Sequence, residues 1–176
     1  MAADANLTDW LTFIRDVMMV PASVLPDTAN IIPLTLDAAE LIVNEVLGVV
    51  GAPQLLGAAP SATPYASFFP QPPSYIAWAI YNFAGDRLVN YAADDATLTP
   101  PLNTYWKDLR ASYGLNSFTP GFVQSTSDQG SSVGFLIPDW AKTMTPGDLQ
   151  MMKTPWGRDY ITLAMAYGPT IWDLTA

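Results

Sequence analysis

The side chains that most often carry catalysis are missing from this sequence. It holds no histidine and no cysteine, which removes the commonest general base and the commonest transition-metal ligands. Serine–histidine and cysteine–histidine nucleophile chemistry, thiolate metal sites and disulfides are excluded with them. Carboxylates remain. Asp94–Asp95 is the only adjacent acid pair; it falls at a helix C-terminus, where negative charge is disfavoured, and reads as a solvated helix end. Asp37, Glu40 and Glu45 line part of one helix and read as a solvent face. A carboxylate-based hydrolase or lyase, or a Ca/Mg site, would need acids converging in a cleft. Tyr75-Ile76-Ala77-Trp78 could line such a cleft, but few acids lie near it. Residues 119–134, TPGFVQSTSDQGSSVG, contain no G-x-x-x-x-G-K-[ST] phosphate loop. The expectation is a protein that is not an enzyme, with no catalytic, cofactor-binding or metal-ligating residue and no cofactor.

Charge narrows the partners. The net charge is −9, and the first 85 residues hold seven carboxylates against one base, Arg15. A sequence-reading nucleic-acid binder needs a basic patch. Here the bases are scattered, with only Lys107 and Arg110 close together at helical spacing. Such a surface suits proximity to DNA without recognition. The most apolar stretch, Tyr75 to Ala93, contains Asn82, Asp86, Arg87 and Asn90. A membrane span needs an apolar run of about 20 residues, so this stretch reads as a buried core helix. The opening MAADAN is acidic where a signal peptide is basic, so neither a signal peptide nor a membrane segment is expected.

These properties must be carried by a single domain over residues 1–176. Half of the residues are hydrophobic and only 13% are charged, enough for a core and for uncharged surface besides. Leu7, Trp10, Leu11, Ile14, Val17 and Met18 fall on one helical face, with Asn6 or Thr8 as cap and Arg15 and Asp16 opposite. Residues 20–33 carry three prolines and read as an ordered loop. A second helix is predicted from about Leu36 to Val50, with Ala38, Leu41, Ile42, Val46 and Val49 inward and Gly51 and Pro53 as its stop. Residues 51–73 hold six prolines and read as a long proline-rich loop or arm, in which Phe68 and Phe69 should touch a partner surface. The third helix, Ser74 to Ala93, is apolar all round and therefore central. Its Asp86 and Arg87 are adjacent, so their side chains diverge and pair elsewhere. A fourth helix after Pro100–Pro101 turns Leu102, Tyr105, Trp106, Leu109 and Tyr113 inward and ends at Gly114.

Residues 118–138 change to Ser/Thr/Gln runs around a DQG turn signal and read as a β-hairpin or finger. Phe122, Val123, Phe135 and Leu136 flank it as candidate interface residues. Two helix starts follow, Thr145-Pro146-Gly147-Asp148 and Thr154-Pro155. After the second, Trp156, Tyr160, Leu163, Ala164 and Tyr167 recur along one face until Gly168–Pro169. The tail, 169–176, keeps Ile171, Trp172 and Leu174 as candidate anchors. The fold class expected is mostly α: a bundle of about five helices with one hairpin and one long loop.

The order of the last elements resembles a family of head-to-tail connector (adaptor, or neck) proteins of tailed bacteriophages. In that family a helical bundle carries a G-x-V-x-S-x-S hairpin and then a T-P-[YW]-G-x-x-[YF] helix start. Gly121, Val123, Ser125 and Ser127 match the first; Thr154, Pro155, Trp156, Gly157 and Tyr160 match the second. AIYNFAGDRLVNYA looks like the family's central helix, and the likeness spans roughly residues 36–174. The long loop at 51–73 departs from the pattern. The resemblance implies a virion structural protein, made in the host cytoplasm. It would form a homo-oligomeric ring, often a dodecamer, between the portal protein and a tail or nozzle protein, continuing the DNA channel. A tail-completion or other minor capsid protein is the alternative of the same class.

Overall fold

A computed structural model describes residues 5–55, 75–116, 125–128, 131–134 and 144–167, with backbone alone at 44–55, in the two strands and at Tyr167. The described residues are mostly helical, as periodicity implies. Helix α1 spans Leu7–Thr12, and Asn6 caps it by accepting from the Asp9 N–H at 2.9 Å. It continues as a π-helical turn over Phe13–Val17, closed by Met18 N–H donating to Phe13 O at 2.9 Å. The wider turn rotates the face. Phe13, absent from the predicted stripe, enters the core beside Trp10, Ile14 and Met18, while Leu7 is exposed.

The loop that follows is ordered, as its prolines imply, and Arg15 holds it. The guanidinium donates to Val20 O at 2.7 Å, to Leu25 O at 2.5 Å and to the Asp27 carboxylate. Helix α2 spans Ile31–Leu55 and corrects two expectations. Pro33 belongs to its first turn, where a missing N–H costs nothing. Gly51 and Pro53 do not stop it; a proline this near the end forfeits one backbone bond without halting the helix. The predicted stripe is also turned: Ile32, Leu36, Ala39 and Val43 are buried, whereas Ala38, Leu41 and Ile42 are exposed.

Helix α3, Tyr75–Tyr91, is the centre of the bundle, buried continuously from Ala77 to Asp86 and again at Leu88 and Val89. Trp10 packs on it, with its ring stacked on Tyr81 at 6.2 Å and its indole N–H donating to Ile32 O at 3.0 Å. A 3₁₀ turn, Leu102–Thr104, leads into α4, Tyr105–Ser112. Trp106 is its fully buried residue, and Leu102, Tyr105, Leu109 and Tyr113 pack on the core as expected. Strands β1, Ser125–Asp128, and β2, Ser131–Gly134, pair antiparallel, Ser125 opposite Gly134. This ladder of four residues a side does not establish the hairpin or finger expected over 118–138, because 117–124, 129–130 and 135–143 lie outside the described residues. Helix α5 is Pro146–Met151 and helix α6 Pro155–Tyr167. Helices α2 and α6 both pack on α3.

Candidate functional site

Thr154-Pro155-Trp156-Gly157 forms the corner between α5 and α6, and the structure gives each side chain a part. Thr145 opens α5 with a capping box, its hydroxyl accepting from the Asp148 N–H while the Asp148 carboxylate accepts from the Thr145 N–H. Three residues after α5 ends, Thr154 opens α6. Its side chain is fully buried and accepts from the Gly157 N–H at 2.9 Å. The same hydroxyl donates to Asp86 Oδ1 on α3 at 2.6 Å. Pro155 occupies the first helical position, where its ring suits the backbone. Trp156 is buried and meets Tyr113 edge-on at 5.8 Å. A Cβ on Gly157 would stand 2.0 Å from the Met151 carbonyl oxygen, so only glycine lets α5 turn so closely into α6.

Across the corner, Gly85 of α3 lies where Met18, Phe13 and Trp156 converge within 3.3–3.4 Å of where its Cβ would be. One turn of α6 later, Tyr160 packs edge-on against Phe83 at 4.9 Å. The Arg87 guanidinium lies over the Phe83 ring at 4.8 Å and donates to the Tyr91 hydroxyl at 3.1 Å, but its Nε is buried with no hydrogen-bond partner. Asp86 and Arg87 thus diverge, as their adjacency implied. Asp86 is 2% exposed. Burial pushes its carboxyl up to about 6, against the opposing pull of the Thr154 hydrogen bond, the Arg87 charge and the Asn90 amide at 3.2 Å. Burial also raises the Tyr160 hydroxyl, with the Asp148 charge adding to it.

The acid pair read as a solvated helix end proves to be a joint. The Asp94 carboxylate accepts from the Trp106 N–H at 2.7 Å and the Lys107 N–H at 3.1 Å, where the helix dipole of α4 favours an anion. Arg110 of α4 reaches back to Val89 O at 3.2 Å and Ala92 O at 2.7 Å and lies 3.8 Å from Asp94. Asp95 only closes a local turn onto Thr97. The Asp94 and Arg110 partners are 12 or more residues away, beyond any local pattern. Asp37 stays exposed as expected and Glu40 is half-buried, its carboxyl raised by burial and by the charge of Asp37.

Among the described residues no group of three or more acids could hold a metal ion, and no helix is long and apolar enough to cross a membrane. Of the motif residues, Ser125 and Ser127 are on β1, and Thr154, Trp156, Gly157 and Tyr160 are all buried at the corner and in α6. Phe68, Phe69, Phe122, Val123, Phe135, Leu136, Ile171, Trp172 and Leu174, the candidate interface residues, lie outside the described residues, as do Gly121 and most of the proline-rich loop. No family model, no curated protein and no solved structure matches the chain significantly.

Proposed function

We propose that this chain is a structural subunit of a virion: a head-to-tail adaptor that assembles into a ring between portal and tail and continues the DNA channel. The observation that carries the reading is the conjunction at the C-terminal end of the bundle. A serine-rich antiparallel ladder, Ser125–Asp128 with Ser131–Gly134, precedes a T-P-W-G corner locked onto a largely buried central helix by Thr154 and Asp86. That is the order of elements in the connector proteins the sequence resembles. On this reading residues 118–138 form a hairpin finger, with the ladder at its middle, reaching a neighbouring subunit or the portal. An isolated pair of strands is marginal in water and needs such a surface.

A carboxylate-based hydrolase or lyase gains nothing from the structure. It needs a second acid beside a buried one. The groups around Asp86 are a threonine, an asparagine and an arginine that divert it to hydrogen bonding.

Native mass spectrometry and electron microscopy of the purified chain, alone and with a portal, test the proposal. A closed ring, twelve-fold or near it, is the expected outcome. A chain that stays monomeric in both settings would overturn it.

A further inference from the structure

Three arginines of the bundle are half-buried, and two of them have a counter-ion. Arg15 pairs with Asp27, and Arg110 lies 3.8 Å from Asp94. Arg87 forms no ion pair among the described residues. Its guanidinium lies over the rings of Phe83, at 4.8 Å, and Tyr91, at 5.8 Å. A guanidinium can donate in several directions at once. Here it makes one hydrogen bond, to the Tyr91 hydroxyl, and its Nε has no partner. The acids around it are engaged elsewhere. Asp86 feels its charge but spends its oxygens on Thr154 and Asn90. Asp148, which acts on Tyr160, is held in the cap of α5. A partly desolvated charge without a counter-ion is costly to keep. Tyr91 is 65% exposed, so this frame of rings and guanidinium reaches the surface.

The ladder carries a group of the missing kind. Between Arg110 and Asp139 the chain has a single charge, Asp128. Asp128 is the last residue of β1, and its register partner Ser131 is the first of β2. Two residues separate them in the sequence, so Asp128 stands at the end of the ladder where the chain reverses. Strands of neutral, serine-rich composition with one acid at that end bring one carboxylate to whatever they touch.

We infer that Asp128 of one copy of this chain pairs with Arg87 of a second copy, the carboxylate entering beside the Tyr91 ring. The contact rests on the ring reading, in which the finger reaches a neighbour, and names the residue that it reaches. The two groups sit on different elements, β1 and α3. The contact is therefore heterologous, the kind that closes into a ring by rotation. Arginine–carboxylate pairs are geometrically specific, and arginine and tyrosine are enriched among the residues that dominate interfaces. One ion pair sets register and partner choice more than affinity. The contact is weak between two isolated copies, and closure, which gives every subunit two such contacts, is what holds it.

Arg87→Lys keeps the charge and supplies an amine that a water-soluble carbodiimide joins to a carboxylate in direct contact. The variant is checked for the parent's melting behaviour. Ordinary and heavy-isotope-labelled protein are then mixed and equilibrated at the concentration where the parent assembles, or at its solubility limit, and cross-linked. The expected result is a peptide pair linking positions 87 and 128 with the two labels combined. It should exceed the link from Lys107, exposed on α4, to position 128 by about tenfold or more, and Asp128→Asn should abolish it. A link that never combines the labels would place the pair within one subunit and overturn the inference. So would a link from position 87 mainly to another acid, or no link. If Arg87→Lys folds poorly, Asp128→Asn is read with Arg87 intact: self-association should weaken about tenfold or more, while Asp37→Asn on α2 leaves it unchanged. Equal effects of the two, or none, would overturn the inference. Rings without the link would leave the adaptor reading standing and remove this contact. The link in open or dimeric species would keep the contact and remove the ring.

Discussion

Thr154 and Asp86 lie 68 residues apart and share a buried hydrogen bond of 2.6 Å. Through it the start of α6 is fixed to the middle of α3. The threonine hydroxyl serves both ways, accepting from the Gly157 N–H and donating to the carboxylate. Removing it strands two buried groups at once.

Thr154→Val keeps the shape and removes the hydroxyl. Leaving buried polar groups unpaired costs about 1–3 kcal/mol for each, so the variant should lose about 2–4 kcal/mol of unfolding free energy. Thr154→Ser keeps the hydroxyl and should lose less than half as much. Urea unfolding of the three proteins decides it; a valine variant as stable as the parent would show that the bond holds nothing.

Asp86 makes stability fall as pH rises. Its carboxyl titrates at about 6 in the folded chain, raised by burial from an ordinary value of 3.8. A group whose folded pKa is raised contributes stability that is fully present below the unfolded value. That contribution is lost as pH climbs through the folded one. The window is therefore pH 4 to 7, and a rise of this size in one carboxyl is worth roughly 3 kcal/mol. Glu40 and Asp159, also raised by burial, act in the same direction. Asp86→Asn keeps an acceptor for Thr154 without the charge. Its melting temperature should gain on the parent's steadily from pH 4 to pH 7. Parallel curves across that range would dismiss the buried charge as the cause.

Two glycines of the C-terminal segment should respond oppositely to alanine. A Cβ at Gly157 meets the Met151 carbonyl at 2.0 Å, whereas at Gly147 the nearest contact is the Thr145 hydroxyl at an ordinary 3.6 Å. Gly157→Ala must open the corner and should destabilise by more than about 2 kcal/mol, within the range of overpacked sites. Gly147→Ala, inside α5, should be neutral or stabilising by about 0.5–1 kcal/mol. Thermal melts of the two variants side by side test the contrast.

Local signals are legible where one residue type does one local job. The caps Asn6 and Thr145 and the prolines at 146 and 155 stand where their chemistry asks. Helix α3 is readable as central because apolar side chains surround it. The face of α2 is not. Ile32, Leu34, Leu36, Ala39, Leu41, Ile42 and Val43 fall around the whole helix, so periodicity alone cannot choose the inward side; packing on α3 does. Phe13 escapes the stripe because the π turn breaks the 3.6-residue repeat on which the stripe is counted. The roles of Asp94, Arg110 and Asp86 depend on partners brought together only by the fold, and no spacing rule reaches them.

Phe83 should behave as a core residue of high cost. It is 3% exposed, edge-on to Tyr160, with the Arg87 guanidinium on its face. Phe83→Ala leaves a cavity and removes the ring that covers Arg87, whose Nε already lacks a partner. The loss should be about 3–5 kcal/mol, and Phe83→Leu should recover more than half. Chemical denaturation midpoints measure both; an alanine variant that unfolds with the parent would refute the central place given to α3.

DNA binding should be weak even though the proposed ring surrounds a DNA channel. The net charge of −9 opposes approach to a polyanion, but the stronger argument is where the bases are spent. Arg15 is tied to the loop after α1 and to Asp27, Arg110 to the last carbonyls of α3, and Lys153 to Gly114 O at 2.8 Å. Arg87 lies over two aromatic rings. Arg158 and Lys107 are the exposed bases among the described residues. Lys142 lies outside the described residues. Each phosphate neutralised contributes about −0.9 to the slope of log K against log salt, so the two exposed bases together with Lys142 should give a slope no steeper than about −3. Binding to duplex DNA should be undetectable at physiological salt and indifferent to sequence. Fluorescence anisotropy over a salt series measures this. A slope of about −5 or steeper would mean that assembly gathers bases which the single subunit keeps apart or engaged, and that the channel grips its DNA.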